Sequence, residues 1–548
     1  MQDTIPAIIM NILAGRGITE EMAVQRFLHP DYDNHLHDPF SLTDMQICVD
    51  RILLAGERGE KVVIYGDYDI DGITASAVMI EGLAYHGIKA TSYIPDRFEE
   101  GYGINLDALR TLKTAGVKLV VSVDCGITSV AEATWARDND LDLIITDHHA
   151  VPAELPQAIA VVNPKRSGDS YPFKDLCGAG VAFKVIQALQ SVTGRPNAGQ
   201  EKWLLDLVAL GTVCDVVALV DENRVLVTYG LKVMRQTRRP GLRALANIGG
   251  IDITSISSQH LGFVLGPRMN AAGRLEHAAR SLELVTTQDA VRAAQIAQEL
   301  DILNAERRST QALVFKAADE MAESYASDPV LLLPDPGWSH GIVGIVASKL
   351  VEKWHKPVLV AQIMEGFTKG SARSLGGFNM VEALRANANL LTRFGGHFFA
   401  AGYTLRTENI PALRNGLNKY YASSGADTTV IAELDSDADL DGIVGADWEL
   451  IKYFSLLEPF GVENPEPLLA IRGLTARQVR KIGKESTHLK LVLSDDTGQV
   501  IGAVGFGLCA KYPGLMPGQR LTALGRLNKN EWQGRASLQL VISELRYE

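Results

Sequence analysis

Between residues 61 and 150, three short β-rich apolar runs each stop at a cluster of acidic or histidine side chains. KVVIYGD opens into DYDIDG, KLVVSVDCG carries Asp124, and DLIITDHH carries Asp147, His148 and His149. Amphipathic segments of helical spacing, ASAVMIEGLAYHG and SVAEATWARDN, lie between these runs, and GVAFKVIQALQSV follows them. A strand–helix alternation of this kind predicts a parallel sheet covered by helices, with ligand groups at the carboxyl ends of its strands. All three clusters fall at such ends, so an α/β domain over residues 61–235 would let them converge.

At 548 residues the chain is too long for one core, and three or four domains are expected. Residues 1–60 read as an N-terminal helical segment, with TEEMAVQRFL at helical spacing. Residues 236–329 read as a helical linker, in which 288–325 lacks Gly and Pro and suits one long helix spacing two domains. A second α/β domain is expected over 330–421, from PVLLLPD, GIVGIVASKLVEKW and KPVLVAQI. Residues 422–467 read as an acidic connector. Residues 468–548 alternate apolar and polar positions between turn residues, the pattern of a small β-barrel such as an OB-fold.

The composition is 46% hydrophobic and 22% charged, ordinary for a globular protein. Five cysteines form no C-x-x-C pair, so neither a disulfide framework nor a zinc knuckle is indicated. With no signal peptide and no apolar run of membrane-spanning length in the sequence, a reduced, cytoplasmic protein without a membrane partner is expected. The net charge of −12 hides an asymmetry. Residues 425–467 carry eleven acids against Lys452, whereas residues 468–548 carry twelve Lys/Arg against six acids. A compact basic module at the end of an acidic chain fits a nucleic-acid partner. The acidic stretch is not expected to touch DNA.

The strand-end clusters gather Asp67, Asp69, Asp71, Asp124, Asp147, His148 and His149, and Asp215 is a further charge set in the apolar run LVALGTVCDVVAL. On an extended chain Asp67, Asp69 and Asp71 would point the same way, and their mutual repulsion calls for a cation. Carboxylates with one or two imidazoles form a mixed O/N ligand set suited to Mn²⁺ or Mg²⁺. Two divalent ions would supply the missing charge, with Asp124, on a central strand, best placed to bridge them. Such ions activate water and neutralise phosphodiester oxygens, so no side-chain nucleophile is needed. The sequence contains no G-x-x-x-x-G-K-[ST], and ATP is not expected to be used.

DYDIDG, VDCG, TDHH and GTVCDVV resemble the four amino-terminal motifs of the DHH phosphoesterase superfamily, and the likeness runs along nearly the whole chain. LGPRMNAAGRL (265–275), SARSLGGFNMVEAL (371–384), FGGHFFAAGYTL (394–405) and LEPFGVENPEPLL (457–469) are similar to its linker, DHHA1 and pre-barrel motifs. The branch most like this chain comprises single-strand-specific exonucleases of 5′→3′ polarity that act in DNA repair and recombination. The resemblance implies a DHH domain joined by a long helix to a DHHA1 domain and an OB-fold. It points to Asp69, Asp71, Asp124, His148 and Asp215 as metal ligands, with Asp67 and His149 as supporting ligands or substrate contacts. It also implies single-stranded DNA as substrate, and a single-strand-binding protein and a RecQ-type helicase as partners. Cys214 departs from the small residue usual beside the fourth-motif aspartate, and no effect on the metals is expected.

Cationic and glycine-rich stretches supply candidates for phosphate. In GSARS a glycine-rich turn would gather Ser371, Arg373 and Ser374, and guanidinium suits phosphate bidentately. GGH at 395–397 would let the backbone at Gly396 approach closely and aim His397 at a phosphate. Arg268, Asn270 and Arg274 are expected in a Gly/Ala-rich loop, and Arg97 is a candidate for the 5′-phosphate. On the barrel, Lys481, Lys484, Lys490, Lys529 and Arg535 with Trp532 could form a basic, stacking groove. Two other readings remain open: a DHH-family small-substrate phosphoesterase, either an oligoribonuclease or a nucleotide phosphatase, and a catalytically silent replication scaffold. The first would need no basic barrel, and the second would be expected to lack metal ligands.

Overall fold

The computed structural model describes every residue except 1–4, 97–99, 101–102, 276–277, 427–433 and 533–534, and excludes the side chains of Arg274, Leu275 and Trp532. Three helices, α1 (Ala7–Gly15), α2 (Glu21–Leu28) and α3 (Met45–Glu57), precede the first sheet. That sheet contains β1 (Val62–Gly66), β2 (Ala90–Tyr93), β3 (Leu119–Val123), β4 (Asp142–Thr146) and β5 (Ala160–Val162). All its pairings are parallel and its order is β2-β1-β3-β4-β5. Every residue of β1 and β3 is buried, which is why VVIYG and LVVSV run almost unbroken in apolar character instead of alternating. Helices α4 (Ile70–Ala84), α5 (Leu106–Thr114) and α6 (Val130–Asp138) make the crossovers; α7 (Gly178–Thr193), α8 (Leu205–Cys214) and α9 (Asp221–Met234) follow β5. The chain turns one way from β1 to β2 and the other way to β3, so a crevice opens at the carboxyl ends of β1 and β3.

Helices α10 (Pro240–Ile248), α11 (Ser258–His260), α12 (Gly266–Leu275), α13 (Ala279–Thr286) and α14 (Ala290–Glu323) fill the expected linker. The chain forms two compact units, one of Met1–Gly266, Leu282–Ala290 and Leu434–Glu548, the other of Pro267–Ser281 and Val291–Glu433. The long helix is more than a spacer: Val314, Ala318 and Ala322 of α14 pack with Leu331, Ile342 and Val343 in the second unit's core.

The second unit continues with β6 (Leu331–Asp335), α15 (His340–Trp354), β7 (Val358–Ile363), β8 (Phe367–Arg373), α16 (Met380–Arg385), β9 (Leu391–Gly396), β10 (Ala400–Arg406) and α17 (Ile410–Ser424). Its sheet order is β6-β7-β8-β10-β9, parallel only between β6 and β7.

The last region holds β11 (Ala438–Asp441), α18 (Trp448–Phe454), β12 (Leu469–Ile482), β13 (His488–Ser494), β14 (Val500–Gly505), β15 (Arg520–Trp532) and β16 (Arg535–Tyr547). Pairing of β12 with both β13 and β15 closes a five-stranded barrel, β12-β13-β14-β16-β15. The acidic stretch is more than a connector, because β11 pairs with β12 and Leu450 and Phe454 of α18 enter the barrel's core. The same core takes Ile9, Ile12 and Leu13 of α1 and Val24, Phe27 and Leu28 of α2, a union of the two ends of the chain that helical periodicity alone does not disclose.

A buried ion pair ties the N-terminal segment to the first domain. Lys184 of α7, wholly inaccessible, pairs with Glu222 of α9 and donates to His37 O (2.9 Å). Glu222 also accepts from Tyr171 Oη and from His37 N (2.8 Å). Breaking such a pair strands a charge. Lys184→Met is expected to lower stability by about 3–5 kcal/mol, read as a shift in urea midpoint. Lys184→Met/Glu222→Leu should recover part of that loss.

Candidate metal centre

Strand β1 ends at Gly66 and α4 begins at Ile70, so the DYDIDG aspartates do not share one face of an extended chain. The turn serves them better, because it gives each a separate task. Asp69 caps α4, accepting from Asp71 N (2.9 Å) and Gly72 N (3.2 Å). Asp71, in the first helical turn, reaches the start of α7, where its Oδ2 accepts from Gly178 N (2.5 Å) and its Oδ1 from Ala179 N (2.9 Å). Two free amides at a helix start are natural partners for a carboxylate. The reading of the motifs missed this support, although a Cys-Gly-Ala-Gly run opening an apolar helix was visible at 177–180.

Asp124 follows β3 with φ of 60°, a left-handed conformation that aspartate tolerates better than most residues. A Cβ at position 178 would lie 2.5 Å from Asp124 Cβ, so only glycine lets α7 begin this close to it. Asp147 after β4 is an organiser. It accepts from Ile127 N (2.9 Å), His148 N (2.7 Å), His149 N (3.1 Å) and His149 Nδ1 (2.8 Å). It thereby orients the His149 ring and fixes the backbone at His148. Asp215 ends α8, and its placement there completes the cluster.

His148 Nε2 stands 3.0 Å from Asp124 Oδ1 and 3.6 Å from both Asp71 Oδ2 and Asp215 Oδ2. Three sets of potential ligand atoms lie within 4.8 Å of one another: Asp67/Asp69/Asp124, Asp124/His148/His149 and Asp71/His148/Asp215. Asp124 belongs to two of them, the position a bridging carboxylate requires. Despite their 3.0 Å separation, Asp124 Oδ1 and the His148 nitrogens make no hydrogen bond among the described residues. Neighbouring ligands of an octahedral ion with bonds of about 2.1 Å sit about 3 Å apart without bonding to each other. The donor set therefore fits a hard divalent cation.

Electrostatics points the same way. Burial pushes the Asp124 carboxyl well up, and Asp71, Asp69, Asp67 and Asp215 push it further. Burial, then Asp71 and Asp69, raises Asp215 to about 9. Burial also raises Asp71, against the opposing pull of His148. His148 is driven down to about 4 by burial and so stays neutral, the form that ligates metal. Burial works against charge on His149 too, but its bond to Asp147 prevails and holds it up to about 9.

Residues 61–212 match the DHH family, N-terminal domain; residues 323–423 match the DHHA1 domain; residues 435–544 match the RecJ OB domain. The single-stranded-DNA-specific exonuclease RecJ of Bacillus subtilis is 40% identical over 543 residues, covering 98% of this chain and 68% of that protein. The enzyme of the same name from Dickeya dadantii is 32% identical, covering 100% of this chain and 97% of its own. The chain belongs to the RecJ family. The crystal structure of RecJ in complex with Mn²⁺ from Thermus thermophilus superposes with a TM-score of 0.84 at 29% identity, covering 99% of this chain and 76% of the other.

The second unit of this RecJ-family chain places the phosphate candidates differently from the expectation. Ser371 and Arg373 lie in strand β8 rather than in a turn, because GSAR pairs on both sides with β7 and β10. As alternate strand residues they share one face. Arg373 is partly buried, which lowers its pKa; its Nη1 donates to Ala372 O (2.9 Å), and no carboxylate pairs with it among the described residues. Ser374 Oγ donates to Phe378 O (2.7 Å). Gly396 ends β9, and His397 opens the turn into β10, its N–H donating to Ala400 O (2.7 Å). Arg268 and Asn270 belong to helix α12, not to a loop, and Arg268 Nε donates to Asp301 (2.8 Å). Arg97 and the side chains of Arg274 and Trp532 lie outside the described residues. On the barrel, Lys481, Lys484, Lys490, Lys529 and Arg535 are exposed, and Lys529 pairs with Glu531.

Asp215 has a folded pKa of about 9 against about 3.9 in an unfolded chain, so the folded state binds the extra proton. The stability it contributes is complete below the unfolded value and is lost as pH rises through the folded one. In EDTA the melting temperature should therefore fall between about pH 5 and pH 9. Asp215→Asn should flatten that fall in a calorimetric pH series.

Proposed function

We propose that the chain is a metal-dependent exonuclease that degrades single-stranded DNA in the 5′→3′ direction to mononucleotides, in DNA repair and recombination. The reading is carried by the convergence of three ligand sets on Asp124 and His148 in a chain of the RecJ family. Asp67, Asp69, Asp71, Asp124, His148 and Asp215 would hold two divalent ions, Mn²⁺ or Mg²⁺. When bound, the ions lower the pKa of a coordinated water and offset charge on the phosphodiester oxygens. Asp147 fixes the His149 ring and the backbone at His148, and the start of α7 fixes Asp71. His149, held by Asp147 beside the centre, is assigned to the substrate phosphate.

Ser371, Arg373, Ser374, Gly396 and His397 of the second unit, with Arg268, Asn270, Arg274 and Arg97, are the groups we assign to the strand. Arg373 is the best of them, because no carboxylate pairs with its guanidinium among the described residues. The RecJ OB match over 435–544 and the basic barrel support a polymer substrate over a small one. The filled ligand positions support an enzyme over a silent scaffold. No helix among the described residues is long and apolar enough to cross a membrane. The five free cysteines support a cytoplasmic location, and a single-strand-binding protein and a RecQ-type helicase are the partners that would present and generate the strand.

Digestion of end-labelled single- and double-stranded DNA and RNA with Mn²⁺ or Mg²⁺ tests the activity. Mononucleotides released from the 5′ end of single-stranded DNA are expected; a resistant single strand, or cleavage from the 3′ end, would contradict the reading. Asp124→Ala should abolish turnover even at saturating Mn²⁺ while keeping the circular-dichroism spectrum and much of the DNA binding.

Arg373→Ala should raise KM with a loss of about 1.5–3 kcal/mol, the range for a charged hydrogen bond. Lysine at this position should restore only part of the loss, since it keeps the charge without the fork. Unchanged KM and kcat would remove Arg373 from the substrate contacts.

A further inference from the structure

Asp215 ends a helix, and the segment that leaves it is held from outside the sheet. Val216 has φ of 62° and is 66% exposed, a left-handed β-branched residue with little packing of its own. Such a conformation persists only where neighbouring structure enforces it. Three residues on, Leu219 N donates to Val462 O (2.9 Å), in the loop that leads into the barrel. The same loop lays Gly461 on Leu219, where a Cβ at 461 would come within 2.6 Å of Leu219 Cδ1. Leu219 is 1% exposed, so a methyl at 461 would have to displace a side chain packed in the interior.

That loop is itself rigidly made. Buried Asn464 donates to Leu457 O (2.8 Å) and Pro459 O (2.8 Å) and accepts from Arg16, and Ser258 Oγ donates to Phe460 O (2.7 Å). Helix α9 anchors the loop and the centre together. Arg224, 2% exposed and lying over the Phe27 ring at 3.8 Å, donates to Phe27 O (2.7 Å), Leu457 O (3.0 Å) and Leu456 O (3.0 Å). Among the described residues its hydrogen bonds go to backbone carbonyls, and burial lowers its pKa to about 9. The preceding Asn223, fully buried, donates to Ala218 O (3.0 Å) and to Asp175 O (2.6 Å), just before the helix start that grips Asp71.

We propose that the 456–464 loop, clasped by Arg224, is a positioning element for Asp215, so that the metal centre attains its full affinity only with the barrel's lead-in docked on residues 216–219. The proposal rests on Asp215 being a metal ligand. Gly461 and Arg224 are positioning residues, not catalytic ones. Docking of the strand-binding module and assembly of the reactive centre become one event.

The test is Mn²⁺ titration of the full-length, DNA-free protein, followed by electron paramagnetic resonance. Gly461→Ala should weaken Mn²⁺ binding by about 10–100-fold, the range for groups that orient metal ligands. It should lower kcat on a short oligonucleotide without raising KM, and leave binding of a long single strand in EDTA unchanged. Gly461→Ala/Leu219→Ala, which vacates the space the methyl needs, should restore Mn²⁺ affinity; a merely structural lesion would not respond in this way. Arg224→Lys, which keeps the charge but loses the three-carbonyl fork, should reproduce the defect, so either variant that folds decides the matter. Asp215→Asn supplies the reference. If it loses an ion while the folded loop variant binds Mn²⁺ as the parent does, the positioning role is overturned and the ligand assignment stands. If Asp215→Asn itself binds Mn²⁺ normally, both fall.

Discussion

Carboxylates packed into a buried crevice are the constraint around which the first domain is built. Asp67, Asp71, Asp124 and Asp147 are all buried, and like charges at this spacing disfavour ionisation strongly. Three aspartates of the cluster are made tolerable by different local devices. Asp71 takes the amides at the start of α7, Asp147 takes two backbone amides and an imidazole of its own loop, and Asp69 caps a helix. What these devices leave uncompensated is gathered at Asp124, beside the neutral His148. A doubly charged cation is the economical solution to that remainder, and the geometry of the donors suits one.

The first domain was legible in the sequence because its signals are local. Apolar runs ending in polar clusters mark strands of a parallel sheet, and the chemistry of such a sheet collects at one edge, so Asp67, Asp124 and His148 converge as the pattern implies. Asp215 was legible for another reason: a charge set in an apolar run needs a partner. The errors have a common cause as well. DYDIDG is read as extended chain from the alternate spacing of its aspartates after a strand, GSARS as a turn and the stretch around Arg268 as a loop from composition near glycine, all three from local signals alone. Ladder pairing on both sides makes GSAR a strand, and helical packing makes 266–275 a helix. Tertiary context overrode local propensity.

What was least visible is what acts at long range. Nothing in TEEMAVQRFL announces that Phe27 lies under a guanidinium of α9, or that α1 and α2 complete a barrel core made by the far end of the chain. Amphipathic periodicity tells that a helix has an apolar face, never which core receives it. The same holds for Asn223 and Arg224, whose buried side chains work through backbone carbonyls and so carry no motif.

The shared core of α1, α2 and the barrel has a consequence for how the chain is made. A ribosome releases residues 7–28 well before residues 443–545, and these stretches supply the two halves of one apolar interior. The first α/β sheet can close while synthesis is still under way, since its strands are neighbours in sequence. The opening helices cannot. They emerge with their apolar faces bare and must wait through the synthesis of the second unit before a partner exists. That interior is thus closed like a clasp across a long stretch of intervening chain, and folding of the barrel is also the step that seals α1 and α2 from water.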